Sequence, residues 1–158
     1  MPILQRFFGA EPLVADGALR AEAVRAAQGL DIEAAINAHL DWKRQLRAQL
    51  QPHDAAAEAA LAFEREPICH DDHCELGRWI LGPGRLRLGA FPGFADLLAH
   101  HRMFHHVAAN VLALRDAGML ADARRMLDDQ FEDYSERVTQ DLRLLQQVVA
   151  APPEPLRG

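Results

Sequence analysis

"LDDQFEDYSERVTQDLRLLQQVV", residues 127–149, is the most periodic stretch of the chain and decides its fold class. Leu127, Phe131, Tyr134, Val138, Leu142, Leu145 and Val149 recur at steps of 4-3-4-4-3-4, the spacing of one helix face. Most positions between them carry charged or amide side chains, with Ser135, Thr139, Leu144 and Val148 as the exceptions. An amphipathic helix over 119–150 is expected, with its apolar stripe turned to a core.

Working upstream, Gly118 separates that helix from another over 94–116, whose stripe is Phe94, Leu98, His101, His105, Ala108 and Leu112. Asp31 is a good N-cap for a third long helix, 31–51, which Pro52 ends; its face runs Ile32, Ile36, His39, Trp42, Leu46 and Leu50. Shorter pieces complete the pattern. A helix from an Asp16 cap to about Gln28 stops at Gly29 in the C′ position. Residues 54–66 have helical composition, and about 73–81 form a two-turn helix that the Gly-Pro-Gly of 82–84 breaks. Residues 85–93 read as an irregular connection, and residues 1–15 as a tail with Phe7 and Phe8 as its only sticky feature. That pair would fold onto the domain or dock a partner. The expected architecture is all-α: an antiparallel four-helix bundle with a short extra N-terminal helix. The expected divisions are residues 1–29 as tail and short helix, 30–150 as the bundle, and 151–158 as a C-terminal tail.

Composition agrees and narrows the function. The 158 residues fit one domain, 49% are apolar, and aromatics are only 6%, with unbranched helix formers dominating. A net charge of −6 argues against a nucleic-acid binder, which needs a basic face. No apolar run reaches the ~20 residues of a membrane span, and the first residues lack a secretory pattern. With two cysteines, Cys69 and Cys74, a cytoplasmic, reducing setting is the default. Eight histidines are the anomaly.

Three of those histidines stand on apolar faces. His101 and His105 are one helical turn apart, about 6 Å, and His39 lies between Ile36 and Trp42. A single histidine on an apolar face is more often a core residue with its hydrogen bonds met. Three on two such faces make a shared partner in the interior the economical explanation. Cys74, in "DDHCELGRW" (71–79), is a candidate fourth donor, and at the start of a short helix the dipole would favour its thiolate. Three imidazoles and one thiolate suit zinc in a closed tetrahedral site. A helical His-x-x-x-His alone is weak evidence, so a metal centre and a hydrogen-bonded core both stand on these residues. The nearby His70, His73, Asp71 and Asp72 read as a turn with capping acids, His100 and His106 as half-exposed neighbours. Trp42 and Trp79 read as walls of the site, Gly77 as a point of close helix approach, and Cys69 as a thiol able to pair with an oxidised Cys74.

Three blocks carry a resemblance. "HLDWKRQL" (39–46), "DHCELGRWILGPG" (72–84) and "HRMFHHVA" (101–108) resemble the signature blocks of the chemoreceptor zinc-binding (CZB) family. Those blocks read His-x-x-Trp-Lys, Cys-x-Leu-Gly-x-Trp and His-x-x-x-His in that order. The likeness covers about residues 30–147 and implies that His39, Cys74, His101 and His105 bind one zinc ion inside a four-helix bundle. It also implies a regulatory role in chemotaxis or other bacterial signal transduction, where such domains sit on chemoreceptors or diguanylate cyclases and answer to zinc or to oxidants such as hypochlorous acid. No receptor coiled coil or cyclase domain fits in this length, so a free-standing cytoplasmic sensor is expected. Its partners would be zinc and a protein of a chemoreceptor or diguanylate cyclase pathway, with a homodimer possible and neither nucleic acid nor membrane insertion involved. A closed four-ligand site leaves no position for substrate, so no catalytic residue is expected. The alternatives are a hemerythrin-like di-iron oxygen-binding bundle, a zinc hydrolase with Glu75 or Asp72 as base, and a purely structural adaptor. The di-iron site would need more inward histidines and carboxylates, and 119–150 holds no histidine.

Overall fold

The computed structural model describes residues 3–9, 16–51 and 70–150, and all secondary structure among them is helical. In chain order the helices are α1 (Ile3–Phe8), α2 (Asp16–Ala27), α3 (Ile32–Gln49), α4 (Glu75–Trp79), α5 (Arg85–Leu88), α6 (Pro92–Asp116), α7 (Leu120–Met126) and α8 (Glu132–Ala150). The expected helix over 54–66 lies outside the described residues, as does Cys69.

The capping chemistry read from the sequence sets the boundaries of the long helices. The Asp31 side chain accepts from the Ala34 N–H at 2.9 Å and opens α3. At the end of α6 the Gly118 N–H donates to the Arg115 carbonyl and the Met119 N–H to the Leu114 carbonyl, both at 2.9 Å. That pair of bonds is a Schellman close, and it needs the left-handed φ of +77° that Gly118 supplies. The chain therefore turns back at once, and α7 and α8 pack along α6. Gly29 plays no such part. Its φ is not positive, and α2 ends through a Leu30 N–H to Ala27 carbonyl bond of 3.0 Å.

Helix α6 is central. Phe94, Leu97, His101, Phe104, His105, Val107, Ala108, Val111 and Leu112 are all buried, a face too wide for one partner. Helix α8 covers one side with Val138, Leu142, Leu145 and Val148. Each such side chain contributes roughly 1.5–3 kcal/mol of apolar burial. A wide turn at Leu127–Phe131, closed by a Glu132 N–H bond to the Leu127 carbonyl, joins α7 to α8 without a break. It adds a residue to the helical path, so the buried position after Phe131 is Ser135, and Tyr134 is only half-buried. Val148 takes the place expected of Val149.

Two connecting segments differ from expectation. Residues 3–8 form a helix, too short to show a period, and Phe7 and Phe8 are buried rather than held out for a partner. Phe8 meets Phe91 edge-on at 4.8 Å, and α1 packs on α6 and α8. The Gly-Pro-Gly element kinks the chain instead of stopping it. Only Gly82 leaves helical geometry (φ −108°, ψ −109°), and α5 resumes the helix at Arg85, within the stretch expected to be irregular.

Candidate metal centre

Four potential ligands from three helical segments meet in the core. His39 comes from the middle of α3, His101 and His105 from successive turns of α6, and Cys74 from the residue that opens α4. Their exposures are 2%, 1%, 1% and 5%, so water cannot satisfy them. One ligand atom from each lies within 4.8 Å of every other. Cys74 Sγ stands 3.2 Å from His101 Nε2 and 3.6 Å from His105 Nε2, and the two Nε2 atoms are 3.1 Å apart.

Local structure fixes each donor. The His39 Nδ1–H donates to the Ala35 carbonyl at 2.7 Å, one turn back on α3, which leaves Nε2 as the lone-pair atom. That Nε2 is buried and has no hydrogen-bond partner. Cys74 is the N-cap of α4, where its sulfur accepts from the Gly77 N–H at 3.1 Å. Gly77 gives close approach, though to a turn and not to a helix: a Cβ there would lie 1.5 Å from the Asp71 carbonyl oxygen. The acids thus do not cap α4. The Asp71 carboxylate pairs instead with Arg102 at 3.4 Å, and Asp72 is exposed.

Electrostatics follow from burial. Desolvation, reinforced by the neighbouring His105, lowers the His101 pKa to about 2. Desolvation also takes His39 down to about 4, against the opposing bond to Ala35. Both imidazoles are neutral at pH 7, the form that can ligate. The Cys74 thiol is pushed up to about 11 by burial, and the Gly77 N–H only partly offsets this. The helix start does favour the thiolate, as expected, but desolvation outweighs it. A bound cation would reverse that balance.

Residues 39–112 match the family model of the chemoreceptor zinc-binding domain, a span that includes all four donors. That span, just under half of the chain, is what the family match covers. Helices α1, α2, α7 and α8 lie outside the matched span. No curated protein and no solved structure is similar enough to the chain to extend the comparison.

The cofactor of a chemoreceptor zinc-binding domain is zinc, and this donor set fits it. With Zn–N near 2.0–2.1 Å and Zn–S near 2.3 Å, tetrahedral ligands stand about 3.3 Å (N to N) and about 3.5 Å (N to S) apart. The distances of 3.1, 3.2 and 3.6 Å found here are of that size. The orphaned His39 Nε2 is a buried nitrogen still open to a further partner.

The surroundings separate the other sequence candidates. Trp42 does wall the cluster, 5.2 Å from the His39 ring and 5.6 Å from His105. The Trp79 ring meets Phe94 instead, 6.1 Å away. Its Nε1–H donates to the Ala26 carbonyl at 2.8 Å and so ties α4 to α2. His100 makes a partly buried 2.6 Å bond with Asp141, and His70, His73 and His106 are exposed. Phe104, which the sequence reading passed over, closes the site, 5.0 Å from His39 and 5.3 Å from His105, and is backed by Phe131 at 4.8 Å. Its spacing three residues after His101 carried the signal, since the buried face of α6 is wider than one stripe.

Proposed function

We propose that His39, Cys74, His101 and His105 hold one zinc ion, and that the protein is a cytoplasmic zinc-dependent regulator rather than an enzyme. The observation that carries this is the buried His39 Nε2, which has no hydrogen-bond partner, on a ring that joins the other three donors in one cluster of ligand atoms within 4.8 Å of one another. A buried imidazole nitrogen left without a partner costs free energy, and a metal offsets that cost. Zinc contributes a positive charge that keeps the Cys74 sulfur as thiolate at neutral pH. The residues do the rest. Ala35 fixes the tautomer of His39, the Gly77 N–H orients the sulfur, and Trp42 and Phe104 exclude water.

Four protein donors leave no position for a substrate, which favours sensing over catalysis. The cluster contains no carboxylate among the described residues, and this argues against the di-iron reading. The thiolate is the one oxidisable ligand, so a zinc- or oxidant-dependent change at Cys74 reaches α4 and, through the Trp79 bond to Ala26, α2. The output partner belongs to a chemoreceptor or diguanylate cyclase pathway, and the helices would pair as an antiparallel four-helix bundle able to dimerise. Purified protein is expected to contain one zinc per chain, and Cys74→Ala to bind zinc at least about tenfold more weakly. Equal zinc content and affinity in that variant would remove Cys74 from the ligand set.

A further inference from the structure

The four donors are buried, so an ion enters or leaves the cluster only when an element that carries one of them moves. Helix α6 brings two donors and is packed by α1, α7 and α8, whereas α3 brings only His39 and lies along α8. Beside the cluster α3 is fastened by charge. Lys43 and Arg47 follow His39 by one and two helical turns, on the same side of α3. Both reach one carboxylate on α8. Lys43 Nζ donates to Glu132 Oε1, and the Arg47 guanidinium donates to Glu132 Oε2 at 3.0 Å. Asp128 stands 3.6 Å from the same guanidinium. Glu132 is also the residue whose N–H closes the wide turn onto the Leu127 carbonyl. It directly follows Phe131, which backs Phe104 over the His39 and His105 rings. One side chain thus ties the helix that carries His39 to the turn that carries the back wall of the site.

We propose that Glu132 is a positioning residue of the zinc centre: held by Lys43 and Arg47, its carboxylate keeps His39 beside the donors of α6 and sets how long a zinc ion stays bound. This role rests on the zinc reading of the buried cluster. Glu132 touches no ligand and acts through α3. Without the carboxylate, the like charges of Lys43 and Arg47 face each other one turn apart with no common partner. Helix α3 then loosens from α8, and the local opening that frees His39 becomes more frequent. Lys43 and Glu132 are 22% and 28% exposed, so salt reaches and screens them. The lifetime of bound zinc therefore acquires a salt dependence that the buried donors alone would not give it.

Zinc release from the zinc-loaded full chain into excess chelator tests this. Glu132→Gln should release zinc roughly threefold to tenfold faster than wild type, the scale of one or two partly exposed ion pairs. Lys43→Gln, which cuts the same contact from the other side, should also speed release. Raising the salt concentration should speed release from wild type and change it much less in Glu132→Gln. Asp133→Asn removes the neighbouring pair with Arg137 inside α8 and should release zinc at the wild-type rate. A wild-type release rate in Glu132→Gln overturns the role. So does a salt response in that variant equal to that of wild type, which is what a merely structural Glu132 would leave, or an equal acceleration in Asp133→Asn. If wild type and Cys74→Ala retain zinc equally, the zinc reading of the cluster fails. If retention depends on Cys74 while Glu132→Gln releases zinc as wild type does, the positioning role alone fails.

Discussion

At Gly77 a Cβ would stand 1.5 Å from the Asp71 carbonyl oxygen and 3.2 Å from the Cys74 sulfur. The backbone of the turn must therefore move to admit any other residue, and with it the sulfur that the Gly77 N–H holds. Gly77→Ala is expected to destabilise the protein by about 1–3 kcal/mol, the usual scale of overpacking, and to weaken zinc binding with it. Thermal melting and zinc titration of that variant read both effects; wild-type values for both would show that the turn does not sit over Gly77. At this scale the sequence was legible where chemistry is local. The His101–His105 pair follows from helical spacing, and His39 from its place between Ile36 and Trp42. Gly77 was legible as a point of close approach, but its N–H bond to the sulfur and the Ala35 carbonyl were hidden, because they depend on backbone atoms that side-chain pattern does not report.

Among the elements, the helix that closes the fold shows where pattern and structure part. Its stripe was legible from Leu127 to Leu145, yet the wide turn at Leu127–Phe131 was not, because one added residue barely disturbs an apolar period. The turn puts Ser135 rather than Tyr134 into the core and lets Phe131 back Phe104 against the histidines. An added residue can be taken out where it is accommodated. Deleting exposed Gln130 should close the turn to ordinary helix and preserve a cooperative fold. Deleting exposed Gln140 in regular helix should rotate all that follows by about 100° and lose most of the stability. Urea unfolding of the two deletions separates these outcomes, and equal losses would mean that the wide turn is not a relaxed insertion. The helical connections at α1 and α5 were missed for a related reason: segments of four to six residues carry too few apolar positions to show a period.

For the molecule as a whole, a core that buries imidazoles has a price in acid. In the unfolded chain a histidine takes up its proton near pH 6.5, whereas the fold holds His39 down to about 4 and His101 to about 2. Below pH 6.5 the unfolded state therefore binds more protons than the native state. Stability of the zinc-free protein must fall as pH is lowered through the window from 6.5 to about 4, by up to about 1.4 kcal/mol per pH unit for each histidine. Melting curves of zinc-free protein at pH 7, 6 and 5 should show a steady decline; a flat profile would place these imidazoles in contact with water. The helical class was legible from periodicity alone, and the apolar faces pointed His39, His101 and His105 to one interior, while Cys74 joined them through the resemblance of its block. The order of the connections around it was not, since short turns and kinks are set by tertiary packing. The central claim is the ligand set, and X-ray absorption at the zinc edge of the purified protein tests it most directly. One sulfur and three imidazole nitrogens around a single zinc per chain is the predicted result, and a shell without sulfur or with oxygen in place of an imidazole would contradict it.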